Sequence, residues 1–121
     1  MDCNTSKTWV LAKLFHKDLD VREGDIIIVK HRISVFYCTT LEAVLRANKV
    51  VRLVIAGVSS AWAVQSAARD AHDRDYDVVV LEDACAAADE NEHDYSMRLL
   101  RKIANVIKVS ELPSLELCAG E

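Results

Sequence analysis

The chain has few of the features that mark disordered, membrane-spanning or nucleic-acid-binding proteins. It contains 1 proline in 121 residues and is 51% hydrophobic, so we expect a buried core. Its clearest apolar runs, residues 26–29 and 53–58, are far shorter than the roughly 18 residues of a membrane span. The net charge of −4, with no basic run, argues against nucleic acid as a partner. The composition therefore predicts one small globular domain.

Paired cysteines are also missing. Cys3, Cys38, Cys85 and Cys118 are widely spaced, with no Cys-x-x-Cys motif, and the histidines show no ligand spacing, so we expect no metal and no cofactor. Free thiols are favoured over a disulfide framework. The first seven residues lack an apolar signal core, and we therefore predict a cytoplasmic protein.

What the chain does contain is an alternation of strand-like and helix-like segments. Strands are predicted at residues 26–29, 50–58, 76–81 and 104–109, and helices at residues 41–48, at 62–74 and from 89 to about 103. Residues 8–15 fit either a short helix or an irregular strand. This alternation is typical of an α/β fold, a mostly parallel sheet between two helical layers.

The most informative stretch is residues 53–71, where an apolar strand breaks at Gly57-Val58-Ser59-Ser60 and continues as a helix. A strand that turns sharply into a helix brings backbone N–H groups to the carboxyl edge of the sheet, where α/β proteins bind ligands. The residue at the start of this helix is Ala63, whose side chain has no reactive group.

Three sequence blocks together resemble the isochorismatase-like hydrolases, also called cysteine hydrolases. Residues 24–41 are similar to the family's strand ending in lysine and its Ser-x-Phe-x-Gly-Thr-x-Leu loop. Residues 53–71 match its Gly-Val-x-Thr-x-x-Cys-Val strand-turn-helix, and residues 79–86, followed by a helix containing His93, form the third block. The resemblance extends from residue 23 to about residue 112, nearly the whole chain.

The resemblance implies a three-layer α-β-α, Rossmann-like domain with about four strands retained. The family's parallel sheet has the strand order 3-2-1-4-5-6, and this chain matches strands 3, 4, 5 and 6. We therefore expect a single domain over residues 1–121, incomplete at its N-terminus, with an irregular lead-in at 1–22 and a tail at 113–121. Without strands 1 and 2, the 53–58 strand has an open edge. Either residues 26–29 pair with it, or residues 8–15 supply a strand, or a second copy covers the gap. We favour a homodimer or higher oligomer.

The resemblance also implies site residues. In the family an aspartate on the first strand acts as base, a lysine assists and a cysteine attacks an amide-type carbon. Lys30 stands at the lysine position and Ala63 at the cysteine position, while the aspartate has no counterpart. The backbone N–H groups of Ser59 and Ala63 correspond to the oxyanion hole, and the family often has a cis peptide at the step equivalent to Val58–Ser59. Ser60 belongs to the same turn, and Phe36, Tyr37 and Trp62 either line a substrate pocket or pack in the core or an interface.

Two functions follow from these replacements. A thioester cannot form at Ala63, yet true isochorismatases also lack the cysteine and hydrolyse a vinyl ether. The first function is therefore a hydrolase scaffold for a small vinyl ether or C–N substrate, with weak or partner-dependent activity. The alternative is an inactive family member that binds a small molecule or a protein. Lys30 would neutralise an anion in either case, or simply close its strand in solvent. Neither serine has an evident neighbouring base.

Overall fold

The computed structural model describes residues 7–11 and 20–116, and within these ranges the side chains of 20–115. A parallel sheet runs through the described part of the chain in the order β1-β2-β3-β4. The strands are β1 (Lys7–Leu11), β2 (Val50–Val58), β3 (Asp77–Ala86) and β4 (Asn105–Ile107), and the helices are α1 (Leu41–Ala47), α2 (Gln65–Asp73), α3 (Glu90–Leu100) and α4 (Leu112–Glu116).

Most predicted elements are confirmed, with shifted ends. β2 has the predicted bounds, β3 runs five residues further than predicted and β4 is shorter. The predicted 62–74 helix is divided into a π-helical turn, Ser60–Val64, and α2. α3 begins close to residue 89, as predicted, and Asp89 caps it by accepting a hydrogen bond from the Glu92 N–H at 2.8 Å.

The sheet is covered on both faces, although unequally. On one face a cluster built on Leu53, Ile55, Val78 and Val80 contacts α1, α2 and α3. On the other face Val54, Val79, Leu81 and Ile107 pack against Leu112 and Leu115 of α4. Burial on both faces explains why residues 53–58 of β2 and 78–81 of β3 are continuous apolar runs and do not alternate with polar residues.

The prediction of a strand at residues 26–29 was wrong. This β-branched segment belongs to none of the four strands in the described part of the chain, and Ile26, Ile27 and Val29 are 48%, 58% and 71% exposed. β-branched residues fit a pleated surface, but a strand also needs an edge to pair with. The free edge of β2 is occupied by β1, whose Trp9 and Leu11 lie beside Leu53 and Ile55.

β1 bears on two further expectations. It pairs with β2 as far as Ile55, and because it overlaps residues 8–15, the second of the three alternatives for the 53–58 edge applies to that part of the strand. The stretch 1–22 is not irregular throughout, because it contains β1, although residues 1–6 and 12–19 lie outside the described part. The tail likewise contains most of α4, while residues 117–121 are outside the described part.

Candidate functional site

The junction of β2 and α2 forms a sharp turn at the carboxyl end of the sheet, and we call residues 57–64 the elbow. Gly57 has φ +127°, a backbone conformation that residues other than glycine rarely adopt. The Val58–Ser59 peptide is cis, as the family resemblance suggested. The Ser59 carbonyl then accepts hydrogen bonds from the N–H groups of Trp62 at 3.3 Å and Val64 at 3.0 Å. The chain thus passes directly from the strand into the π-helical turn.

Ala63 and Trp62, which are adjacent on this turn, differ in solvent exposure. Ala63 is only 8% exposed, while the Trp62 side chain is 62% exposed. The methyl group at position 63 offers no atom for nucleophilic attack. The oxyanion role of the Ser59 and Ala63 N–H groups stays a prediction.

Ser60 is fully buried and hydrogen-bonded to a residue far along the chain. Its Oγ lies 2.7 Å from Nδ1 of His93 on α3, and Ser60 has 0% exposure. A buried hydroxyl needs such a partner. The imidazole is the neighbouring base that the sequence did not reveal, but a hydroxyl with no exposed surface cannot meet a substrate in this geometry. The pair therefore joins the elbow to α3 through the His93 side chain.

A second polar contact, one turn further along, joins the first residue of α2 to α3. Gln65 Nε2 donates to Ser96 Oγ at 3.1 Å, and Ser96 Oγ donates to the Glu92 carbonyl at 2.7 Å. Ser96 is 1% exposed. Sequence reasoning missed this contact. Its only local signal is that residues 93 and 96 are three apart on a helix and hence share a face.

Cys85 lies beside the elbow, on the neighbouring strand β3. It pairs in register with Gly57, at the carboxyl end of β3, and packs against the larger core cluster. Burial raises the pKa of the Cys85 thiol above its ordinary value, and a hydrogen bond from the Gly57 backbone partly opposes this. The thiol is consequently protonated at neutral pH, which agrees with its interpretation as a structural cysteine.

Lys30 is held within its own loop. Its Nζ donates to the carbonyls of Arg32 at 2.8 Å and Ile33 at 3.0 Å, and the side chain is half-buried. Lys30 also does not end a strand, because residues 26–29 do not form one. Its proposed charge-neutralising role stays a prediction.

The two loop aromatics differ from one another. Phe36 is 6% exposed and belongs to the core, with its ring 6.3 Å from Tyr76 and the Arg74 guanidinium 4.7 Å above it. Tyr37 is 59% exposed. Of the alternatives for these residues, the core interpretation applies to Phe36.

The loop around Phe36 is fixed by polar contacts. The Ser34 hydroxyl donates to the Asp70 carboxylate on α2 and accepts the Phe36 N–H at 3.1 Å. Cys38 has φ +50°, which explains why the resembling family usually has glycine there. Thr39 caps α1, since its Oγ1 accepts the Leu41 N–H at 3.3 Å, whereas Thr40 makes no side-chain cap.

Two features are absent from the part of the chain that the structure describes. No helix there is long and apolar enough to cross a membrane. No group of three or more histidine, cysteine or acidic side chains within residues 7–11 and 20–116 is arranged to hold a metal ion.

A parallel α/β sheet with a strand-turn-helix elbow at its carboxyl edge is the architecture that the resemblance to the isochorismatase-like family implied. The isochorismatase domain matches residues 8–111, and the chain belongs to the isochorismatase family. It is 36% identical over 95 residues to the isochorismatase family protein YecD of Escherichia coli O157:H7, covering 78% of this chain and 50% of that protein. It is 40% identical over 77 residues to the ureidoacrylate amidohydrolase RutB of Agrobacterium fabrum, covering 64% of this chain and 33% of RutB.

The fold comparison agrees. An isochorismatase-like hydrolase from Alkaliphilus metalliredigens superimposes with a TM-score of 0.80 at 30% identity, over 83% of this chain and 56% of that one. The chain thus spans about half the length, or less, of these relatives.

Proposed function

We propose that this isochorismatase-family scaffold binds a small molecule with a carbonyl or carboxylate group at the elbow, without forming a covalent intermediate there. The observation that carries the proposal is Ala63, which lies within the π-helical turn Ser60–Val64, just before α2, and is 8% exposed. Covalent hydrolysis of an amide requires a nucleophile at this point, and a methyl group is not one.

The neighbouring side chains do not replace a cysteine at this position. Ser60 is buried and bonded to His93. The raised pKa of Cys85 lowers the fraction of thiolate, which is the attacking form of cysteine. Binding therefore has more support than covalent catalysis.

The elbow retains groups suited to an anionic or polarised oxygen. The π-helical turn and α2 begin at the carboxyl end of β2, where backbone N–H groups and the positive end of a helix favour negative charge. Ser59 and Ala63 would supply these N–H groups, and the exposed Trp62 ring would provide apolar surface beside them. The Lys30 ammonium would add a positive charge.

A second candidate is hydrolysis of a small vinyl ether or C–N substrate by proton transfer. It is favoured by the relatives named ureidoacrylate amidohydrolase, to which the chain is 40% identical over 77 residues. An acid-base group in contact with the substrate supplies typically 10²- to 10⁴-fold acceleration. We propose that such a group would come from a partner subunit, which leaves the activity of a single chain weak.

Turnover and binding measurements separate these functions. The purified protein would be incubated with ureidoacrylate, nicotinamide and isochorismate, and both product and melting temperature would be measured. We expect at least one compound to raise the melting temperature without product, and the rise to shrink in Lys30→Ala. Turnover that disappears in Lys30→Ala would overturn the binding proposal and establish the hydrolase.

A restored thiol tests the geometry of the elbow directly. We expect Ala63→Cys to form a covalent adduct with one of these compounds, detected by intact-protein mass spectrometry. The matched control is Ala67→Cys, whose site is 5% exposed on α2, one turn further along the chain. Adduct formation by both variants, or by neither, would contradict a ligand positioned at the elbow.

A further inference from the structure

The His93 side chain uses one of its two ring nitrogens to contact the elbow. Its Nδ1 lies 2.7 Å from Ser60 Oγ, and His93 is partly exposed, whereas Ser60 is 0% exposed. No hydrogen bond or ion pair engages Nε2 within residues 7–11 and 20–116. Because the two nitrogens of an imidazole point in different directions, Nε2 faces away from Ser60. The contact with Ser60 therefore leaves Nε2 available to a ligand.

The hydrogen-bonding needs of Ser60 determine which nitrogen of His93 carries the proton. A buried hydroxyl has one proton to donate, and leaving that proton without an acceptor is destabilising. In the part of the chain that the structure describes, His93 Nδ1 is the one hydrogen-bond partner of Ser60 Oγ. The hydroxyl consequently donates to Nδ1, and the neutral imidazole then carries its proton on Nε2. Nε2 is thus a hydrogen-bond donor.

His93 lies at the same edge of the sheet as the elbow. α3 follows the carboxyl end of β3, and Cys85 of that strand pairs in register with Gly57 of the elbow. Ser60, which contacts the ring, lies between Ser59 and Ala63, the two residues proposed to supply backbone N–H groups. The Nε2–H donor therefore belongs to the same site as those N–H groups.

The charges around His93 indicate which kind of oxygen suits its Nε2–H. Four exposed acidic residues lie within four positions of it along the chain: Asp89, Glu90, Glu92 and Asp94. These negative charges repel a carboxylate, while an uncharged carbonyl oxygen meets no such repulsion. An amide or ureido carbonyl is therefore a better partner for Nε2–H than a carboxylate.

We propose that His93 is a ligand-binding residue of the elbow, whose Nε2–H donates to the amide-type carbonyl oxygen of a small molecule. This inference rests on the binding function proposed above and adds a side chain and a class of oxygen to it. Ser60 acts through His93, because it holds the ring at Nδ1 and keeps the proton on Nε2. Ser60 is thus a positioning residue although it has no exposed surface.

Two substitutions of His93 separate ligand binding from packing. In His93→Asn, the amide oxygen accepts the Ser60 hydroxyl, but the side chain is too short to reach the place of Nε2. In His93→Gln, the longer side chain brings an amide N–H to that place. We expect the dissociation constants for nicotinamide and ureidoacrylate, measured by titration calorimetry, to rise about fivefold or more in His93→Asn and to stay within about twofold in His93→Gln, since one hydrogen bond to the ligand distinguishes the two variants.

The matched control is His72→Asn, at an exposed position near the end of α2, which should bind like the native chain. Far-UV circular dichroism verifies that the variants are folded. Equal dissociation constants for the native chain and His93→Asn, or equal rises in His93→Asn and His93→Gln, would overturn the proposal.

Chemical modification tests the native chain without any substitution. Diethyl pyrocarbonate acylates accessible imidazole nitrogens, and peptide mass spectrometry locates the product. We expect His93 to be modified in the free chain and protected by nicotinamide or ureidoacrylate, while the modification of His72 stays unchanged. A histidine at position 93 that is unreactive in the free chain would refute an available Nε2.

The same measurements distinguish failure of this inference from failure of the binding function. If nicotinamide or ureidoacrylate raises the melting temperature without protecting His93, the inference fails and the binding function stands. Binding of isochorismate alone, which has no amide-type carbonyl, would have the same consequence. If none of the three compounds raises the melting temperature, both proposals fail.

Discussion

At the scale of single residues, two features distinguish the elbow: the residue at position 63, and the contact between Ser60 and His93. Ala63 lacks the sulfur that its family position usually carries, and Ser60 reaches His93 at 2.7 Å. The first could be read directly from the aligned motif. The second could not, because 33 residues separate the two side chains and the sequence does not show which way α3 lies across the sheet.

Replacing Ser60 should destabilise the protein. In Ser60→Ala, the His93 ring nitrogen loses its partner, and we expect the free energy of unfolding to fall by about 1–2 kcal/mol. Urea denaturation followed by circular dichroism would measure this. The control is Ser59→Ala, because Ser59 makes no side-chain cap hydrogen bond to the turn that follows it. Equal losses in the two variants would show that the Ser60–His93 contact does not contribute.

The half-buried thiol of Cys85 should make the stability of the protein depend on pH in the alkaline range. Burial raises its pKa above the ordinary value of 9.0 in the folded state only. The folded protein therefore holds this proton more tightly than the unfolded chain. The resulting stabilisation is complete below pH 9.0 and is lost as pH rises through the folded-state pKa.

We expect the free energy of unfolding to fall less between pH 8 and pH 10.5 in Cys85→Ala than in the native chain. Urea titrations at several pH values would measure the difference between the two proteins, which cancels the contribution of other titrating groups. Identical slopes would contradict a raised Cys85 pKa. Iodoacetamide should also modify the exposed Cys38 faster than Cys85, as followed by peptide mass spectrometry.

At the scale of elements, helices were easier to predict than the strand at residues 26–29. α3 is specified locally, because Asp89 caps its first turn and Glu90 and Glu92 suit the helix dipole. A strand is specified only together with its neighbour. The same β-branched composition that forms β2 leaves residues 26–29 outside the strands of the described part of the chain, where β1 is the segment that pairs with β2.

The cap of α3 can be tested by substitution. Asp89→Ala removes the acceptor for the Glu92 N–H, and we expect a loss of about 1 kcal/mol in the free energy of unfolding. Asp94→Ala, an exposed position inside the same helix, should change it by less than about 0.5 kcal/mol. Thermal unfolding monitored at 222 nm would compare them. A larger effect at position 94 would argue against the cap.

At the scale of the whole molecule, stability depends on a sheet that is covered on both faces. Leu53 is 0% exposed beneath the helices, while Val51 on the same strand is 50% exposed. We expect Leu53→Ala to cost about 2–5 kcal/mol, since it removes core contacts and leaves a cavity. Val51→Ala should cost much less. Chemical denaturation of both variants would measure how much each substitution lowers the free energy of unfolding. Comparable decreases in the two variants would contradict the assignment of the core.

The sequence by itself determined the α/β class, three helices, three of the four strands and the position of the elbow. These follow from local patterns: apolar periodicity, capping residues and the Gly57 turn all act within a few residues of one another. The family resemblance identified Lys30, Ala63 and the serines as candidates from the same local motifs.

Only the tertiary structure decided which segment pairs with β2, that Phe36 lies in the core and that His93 meets Ser60. Each of these depends on a contact between segments distant in the chain. Such a contact forms only where the rest of the fold provides a strand edge, a space in the core or a hydrogen-bonding partner. No local sequence pattern contains that information.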